Sequence, residues 1–157
     1  MTIRKEQLNA LLIAGLITTS AMAQTTSTTT RTINFPLIGL GSSQTVQVSV
    51  ANSATTSSSG TAASCTGTIA FFTAAGTAIG AATPFTVASG VVFAATLPFS
   101  KAGGTGSHAV VRAVVTDTPA SGVPCQLNTL VEVYDTASGV DARTLEGSTI
   151  GSGPGGR

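Results

Sequence analysis

The sequence predicts an all-β protein, a single antiparallel immunoglobulin-like β-sandwich of about seven strands with one disulfide. Thr, Ser, Gly, Ala and Val take the place of charged residues in most of the chain, and this mixture favours pleated strands and tight turns over helices. Several short segments alternate apolar and polar residues, and Gly, Ser or Pro residues separate them. No segment repeats its apolar residues with a helical period, so the strands have only one another to pack against.

The first strands are predicted from alternation and from one proline. Residues 33–38 predict an initial strand, which Pro36 restricts to a sheet edge or a bulge because proline lacks an amide hydrogen. Residues 39–43 (GLGSS) are expected to turn the chain. Residues 44–50 (QTVQVSV) are the clearest half-buried strand, with the valines on one face and Gln and Ser on the other. A Ser/Thr/Gly loop is predicted over residues 52–64.

The later segments continue this pattern. Residues 66–72 predict a second clear strand, which a hairpin connection at residues 74–76 follows. In residues 108–116 (HAVVRAVVT) the charged Arg112 should face water, and this turns the neighbouring odd-numbered residues inward. The strand after Cys125 is expected to point its odd-numbered residues inward as well. Shorter strands are predicted over residues 85–88, 91–97 and 142–145.

Residues 1–23 are predicted to be a secretory signal peptide. Arg4 and Lys5 supply a positive start, residues 8–17 an apolar run, and the Ala21-x-Ala23 ending suits cleavage before the next residue. A retained anchor is the alternative, but the run has about half of the ~20 apolar residues that a membrane span needs. We expect a secreted protein, periplasmic or extracellular, whose mature chain does not insert into a membrane. Its predicted parts are a flexible Thr/Ser-rich leader (24–32), a β-sandwich domain (33–147) and a disordered Gly-rich tail (148–157).

The predicted mature chain has balanced charge. Of 7 Lys and Arg and 6 Asp and Glu residues, Arg4, Lys5 and Glu6 lie in the predicted signal peptide, which leaves five basic and five acidic side chains. A neutral surface has no field that attracts a polyanion, so nucleic acid is excluded as a partner. The chain has no Trp and one Tyr, so the aromatic surfaces that hold sugars are scarce. No small-molecule ligand is indicated.

Cys65 and Cys125 are the only cysteines, and we expect them to form one disulfide. Oxidising compartments convert an even number of cysteines in an exported chain into bridges. Each lies just before a predicted strand, so the bridge would clamp two strand starts at the same end of the sandwich. The alternative, a redox-active pair, requires a closely spaced motif such as C-x-x-C, which is absent.

No catalytic residue, metal site or cofactor is predicted. His108 is the only histidine, and no G-x-S-x-G motif accompanies it, so it is interpreted as a strand-start residue beside a glycine loop. Residues 135–141 faintly resemble a calcium-binding loop, but the positions that need carboxylates are Ala137 and Gly139. These residues instead predict a turn that Asp135 begins, with Gly139 at positive φ. One histidine and a bridged cysteine pair cannot supply the ligands of a zinc site.

One group of residues suggests an interaction surface. If the two strongest late strands are neighbours, their outward faces combine into an unusually apolar patch in which Arg112 and Glu132 pair. The alternative is that another segment, such as the strand near Phe35, covers the patch. The candidate interaction face consists of Val110, Arg112, Val114, Leu130, Glu132 and Tyr134.

Four segments resemble small exported bacterial β-sandwich proteins of unassigned function. They are residues 39–52 (GLGSSQTVQVSVAN), 65–76 (CTGTIAFFTAAG), 109–115 (AVVRAVV) and 125–139 (CQLNTLVEVYDTASG). The resemblance covers most of the mature chain and implies an exported sandwich with no attached activity. A looser likeness to adhesion-type repeats and pilin subunits rests on the Thr/Ala/Gly richness and the single bridge. The chain differs from pilins in its wide cysteine spacing and in its Gly-rich end, which lacks their tyrosine.

These observations predict a non-enzymatic secreted protein that is a structural or binding module at or outside the cell envelope. Its partner would be another protein or a second copy of itself. One alternative is a pilin-like or adhesive subunit that donates residues 25–38 as a strand. An alternative of another class is an unrecognised hydrolase, which would need converging acids, a histidine or a metal.

Overall fold

The computed structural model describes residues 30–54, 64–104, 106–118, 125–146 and 150–151. The predicted signal peptide, residues 24–29 of the predicted leader and most of the predicted tail lie outside this range. Within it, the regular structure is β-strand apart from one short 3-10 helix, Phe99–Lys101, so the predicted all-β class is confirmed. None of the helical structure in this range has the length and hydropathy needed to span a membrane.

The described residues form ten strands. In chain order these are β1 (Arg31–Asn34), β2 (Ile38–Gly41), β3 (Gln44–Asn52), β4 (Ser64–Thr73), β5 (Thr83–Ala88), β6 (Val92–Pro98), β7 (His108–Asp117), β8 (Gln126–Asp135), β9 (Asp141–Glu146) and β10 (Ile150–Gly151). This count differs from the seven or so strands that the sequence predicts. The first strand begins at Arg31, two residues before the predicted start of the domain.

The strands form two antiparallel sheets. In sheet A, β1 and β2 both pair with β7, and the order continues β7–β4–β5. In sheet B, β9 and β10 both pair with β8, and the order continues β8–β3–β6. Strands β5 and β6 follow each other in the chain but belong to different sheets, so residues 89–91 cross between the sheets.

The core lies between the sheets and follows the predicted alternation. Successive side chains of a strand point to opposite faces, so every second residue of β3, β7 and β8 reaches the interior. The predicted inward residues of these three strands are buried: Val46, Val48, Val50, Val111, Ala113, Val115, Leu127, Thr129, Val131 and Val133. The polar residues between the valines of β3 are half-buried on the outer face.

The predicted first strand is an edge strand that a bulge divides. Asn34 lies opposite Val114 and Ile38 opposite Val111, so three residues around Pro36 face two residues of β7. The prediction that proline confines this strand to an edge or a bulge is confirmed. The expected turn at residues 39–43 is wrong in its length, because Gly39–Gly41 continue strand β2 and only residues 42–43 turn the chain.

Candidate functional site

The Cys65–Cys125 disulfide joins the two sheets at one end of the sandwich. Cys65 lies at the start of β4 in sheet A, and Cys125 immediately precedes β8 in sheet B. Their Cα atoms are 5.3 Å apart, and both residues are buried. The predicted bridge between two strand starts is therefore confirmed, and it links the sheets directly.

A buried carboxylate lies against this disulfide. Asp117, the last residue of β7, is 1% exposed, and its Oδ1 atom is 3.5 Å from Cys125 Sγ. Arg31 of β1 forms an ion pair with it. Burial raises the pKa of Asp117, and the charge and hydrogen bond of Arg31 partly oppose this rise. Asp117 is not among the predicted site residues, although it continues by one step the inward alternation of β7.

Asp135 organises the turn between β8 and β9. Its Oδ1 accepts hydrogen bonds from the Ala137 amide (3.0 Å), the Ser138 amide (2.9 Å) and the Ser138 hydroxyl. Its Oδ2 accepts one of 2.6 Å from Ser43 Oγ, and these bonds, led by that from Ser43, lower the pKa of Asp135 to about 2. Gly139 has φ 68°. The predicted turn that Asp135 begins is therefore confirmed, and Oδ1 is bonded within this turn, whereas Oδ2 links it to Ser43 in the β2–β3 turn.

His108 lies at the outer surface. It is exposed at the first position of β7, opposite Gly41 of β2. Its ring covers the neighbouring Gly39, where a Cβ atom would come within 2.9 Å of the imidazole Cε1. In the part of the chain that the structure describes, no three His, Cys, Asp or Glu side chains are placed to hold a metal ion.

The six residues of the candidate interaction face lie on two different surfaces. Val110, Arg112 and Val114 are on the outer face of sheet A, whereas Leu130, Glu132 and Tyr134 are on the outer face of sheet B. The expectation of one continuous patch is thereby corrected, because β7 and β8 are not neighbours.

The other expectations for this face are also corrected. The Arg112 guanidinium lies 5.6 Å from the centre of the Phe72 ring, and Glu132 accepts a 3.4 Å hydrogen bond from Gln47. These contacts replace the predicted pairing of Arg112 with Glu132. Phe35 does not cover either set, because its side chain is buried in the core and its amide donates to Ala113 O.

A shallow cleft of about 340 Å³ lies beside the turn at residues 42–43. Its lining is mainly hydroxyl and apolar groups, including Ser43, Phe99 and Thr136. The hydroxyl of Thr136, which lines the cleft, forms a 2.9 Å hydrogen bond with the hydroxyl of Thr45 in β3. The cleft is therefore a small neutral depression between the β2–β3 turn and the β8–β9 turn.

An uncharged pair of edge strands lies on the side of the sandwich where β5 and β6 end the two sheets. Residues 32–100 contain no Asp, Glu, Lys, Arg or His, and both of these edge strands belong to that stretch. The link between them exposes apolar side chains, with Val91 47% and Val92 63% exposed. Both strands are predicted from the sequence, but neither is predicted as an interaction surface, although the absence of charge is visible there.

The edge strands on the opposite side of the sandwich carry charges. There β1 carries Arg31, and β9 carries Asp141 and Arg143.

A scan against protein-family models and searches of curated proteins and of solved structures found no match to this chain.

Proposed function

We propose that the chain is a non-enzymatic exported β-sandwich protein that serves as a structural or binding module at or outside the cell envelope. The observation that carries this proposal is the uncharged edge strand β6, which ends sheet B and has no proline before its last residue. Soluble sandwiches usually protect such edges with charges, because unpaired amide and carbonyl groups attract other strands. An unprotected neutral edge favours a protein whose work is to contact another chain.

The disulfide supports the proposal that the chain is exported to an oxidising compartment. A disulfide that joins two sheets persists in oxidising compartments and is rare in reducing ones. Two strand pairs suit the immunoglobulin-like assignment, namely β3 with β6 in one sheet and β4 with β7 in the other, whereas the pairing of β8 with β3 instead of β7 departs from it. We keep both the export route and the immunoglobulin-like topology as parts of the proposal.

Site-specific photo-crosslinking tests the proposal. A photoreactive amino acid at Val92, in the protein expressed in its own organism, should give discrete crosslinked products on gels of the envelope or secreted fraction. The matched control carries the same amino acid at Val140, which is 64% exposed but lies by the β8–β9 turn. Equal crosslinking at both positions would contradict a contact surface at β6. Hydrolysis of ester, peptide or glycoside substrates that His108→Ala abolishes would contradict the non-enzymatic assignment.

A second candidate function is a subunit that donates its N-terminal strand to a neighbour. The specific observation is that β1, the bulge and β2 supply four buried side chains to the core, namely Ile33, Phe35, Ile38 and Leu40. Only residues 42–43 connect this edge strand to β3 in the other sheet. A short hinge of this kind favours exchange of the strand between copies.

The structure changes how strand donation should be tested. Deletion of residues 25–38 would remove the donated strand, but Ile33, Phe35 and Ile38 belong to the core, so this deletion would also destabilise the fold. Insertion of four Gly and Ser residues between Ser42 and Ser43 lengthens the hinge and should favour the closed monomer. Polymers that persist unchanged in the insertion variant, measured by analytical ultracentrifugation, would eliminate this candidate.

A further inference from the structure

Strand β6 is the last strand of sheet B, and the edge that faces away from β3 is open for pairing with another strand. Strand β6 pairs with β3 over seven consecutive residues, from Val92 to Pro98, with no bulge. Among the described residues, no other strand pairs with it. We propose that β6 of one copy pairs antiparallel with β6 of a second copy, which joins the two B sheets into one continuous sheet. This inference rests on the proposed function and names its partner as the chain itself.

The backbone of β6 points alternate groups to this edge. Asn52 N donates to Val91 O, and this contact continues by one step the β3–β6 register, whose last pair is Ala51 with Val92. Hydrogen-bonded and non-hydrogen-bonded pairs alternate in an antiparallel ladder, so Phe93, Ala95 and Leu97 bond to β3. The intervening residues, Val92, Ala94 and Thr96, therefore direct their amide and carbonyl groups towards the open side.

If a two-fold axis passes through Ala95, the amide and carbonyl groups on the open side of β6 hydrogen-bond to the same groups of β6 in the second copy. This axis pairs the full length of β6 with itself and sets Ala94 opposite Thr96 of the second copy, both residues having outward-directed backbone groups. The same axis sets half-buried Phe93 opposite Leu97 of the second copy on the inner face. Phe93 already lies 6.2 Å, centre to centre, from the Phe85 ring, so the second copy would extend an existing apolar contact.

The chemistry of β6 suits a second copy better than it suits a charged partner. No side chain of β6 or of its sheet neighbour β3 is ionisable, so self-pairing brings no like charges together. The other described edges have features that oppose pairing: β1 and β2 are separated by the Pro36 bulge, β9 carries charges, and β5 contains Pro84. Strand β6 has its only proline at the last position.

The test compares variants of the full-length chain, processed and secreted by its own host, by analytical ultracentrifugation. The wild type should be a dimer, and Ala94→Lys should raise the dimer Kd by about tenfold or more. Ser49→Lys is the matched control, because Ser49 lies opposite Ala94 on the same face but one strand inside the sheet. It should leave the dimer Kd unchanged. Ala94→Pro removes an amide that points to the open side, so it should break the dimer and keep the β3–β6 ladder.

Three outcomes would overturn this inference. The first is a wild-type monomer at the highest soluble concentration, and the second is a dimer that Ala94→Lys and Ala94→Pro leave intact. The third is a strand of another protein found crosslinked to Val92 in place of the second copy. The second and third outcomes leave the proposed binding function standing. A His108-dependent hydrolytic activity would remove the proposed function whatever the state of the dimer.

Discussion

Removal of the Cys65–Cys125 bridge should cost the protein much of its stability. The bridge closes a loop whose ends are 60 residues apart in sequence, and it ties β4 of sheet A to the start of β8 in sheet B. In the chain-entropy relation, a closed loop of this length removes unfolded-state freedom equivalent to about 4 kcal/mol at 25 °C. Total stabilities of single domains are about 5–15 kcal/mol, so the double variant Cys65→Ala/Cys125→Ala should be marginally stable.

Guanidinium chloride denaturation of the double variant measures this loss. The free energy of unfolding should fall by about 4 kcal/mol, and the slope m should rise, because an unfolded chain without the crosslink exposes more surface. Wild type unfolded and refolded in the presence of a reductant is the control, and it should show a similar loss. A decrease below about 1 kcal/mol with an unchanged m would refute the idea that this bridge restrains the unfolded chain.

Three further predictions concern single positions. Gly67→Ala should lower the free energy of unfolding by about 3 kcal/mol in denaturant titration, because its Cβ would lie 2.0 Å from a β7 carbonyl oxygen. Gly41→Ala, which meets only ordinary contacts, should cost far less. Arg31→Met should raise the pKa of Asp117 further, as NMR titration would show. A pKa of Asp117 that is higher in the folded state than in the unfolded state lowers the free energy of unfolding at pH values above it. The stability lost in Arg31→Met should therefore shrink as the pH falls through this pKa. Asp135→Ala should lower Tm at neutral pH, and the difference from wild type should shrink as the pH falls from about 4 through the wild-type pKa of about 2.

Alternation in the sequence predicts which residues of a strand are buried. In β3 and β7 every second side chain must reach the same face, so one charged or polar marker, such as Arg112, orients the whole strand. Pro36 predicts an interrupted edge strand because it cannot complete a ladder, and the structure has the bulge at that position. These features depend on local geometry, and for that reason they can be predicted from a single sequence.

Sheet membership does not follow from alternation. The patterns of β7 and β8 are nearly alike, and the pattern places Val114 and Tyr134 outward without saying that the two strands belong to different sheets. Which strands pair depends on contacts between residues far apart in the chain, so the predicted Arg112–Glu132 pair was wrong although both orientations were right. The same limit applies to the ion pair between Arg31 and Asp117, whose partners are 86 residues apart in the sequence.

The two proposed modes of assembly, β6–β6 pairing and donation of β1 and β2, use different sheet edges and therefore predict different numbers of subunits. Pairing of β6 with β6 is isologous, and because it uses the same edge on both copies it closes at a dimer. Donation of β1 and β2 joins one side of a copy to a different side of the next, so it is heterologous and extends into chains unless it forms a ring or a reciprocal pair. A sedimentation profile with a single dimer that Ala94→Lys dissociates therefore indicates the β6 edge. A ladder of longer species that a lengthened hinge at residues 42–43 suppresses indicates strand donation.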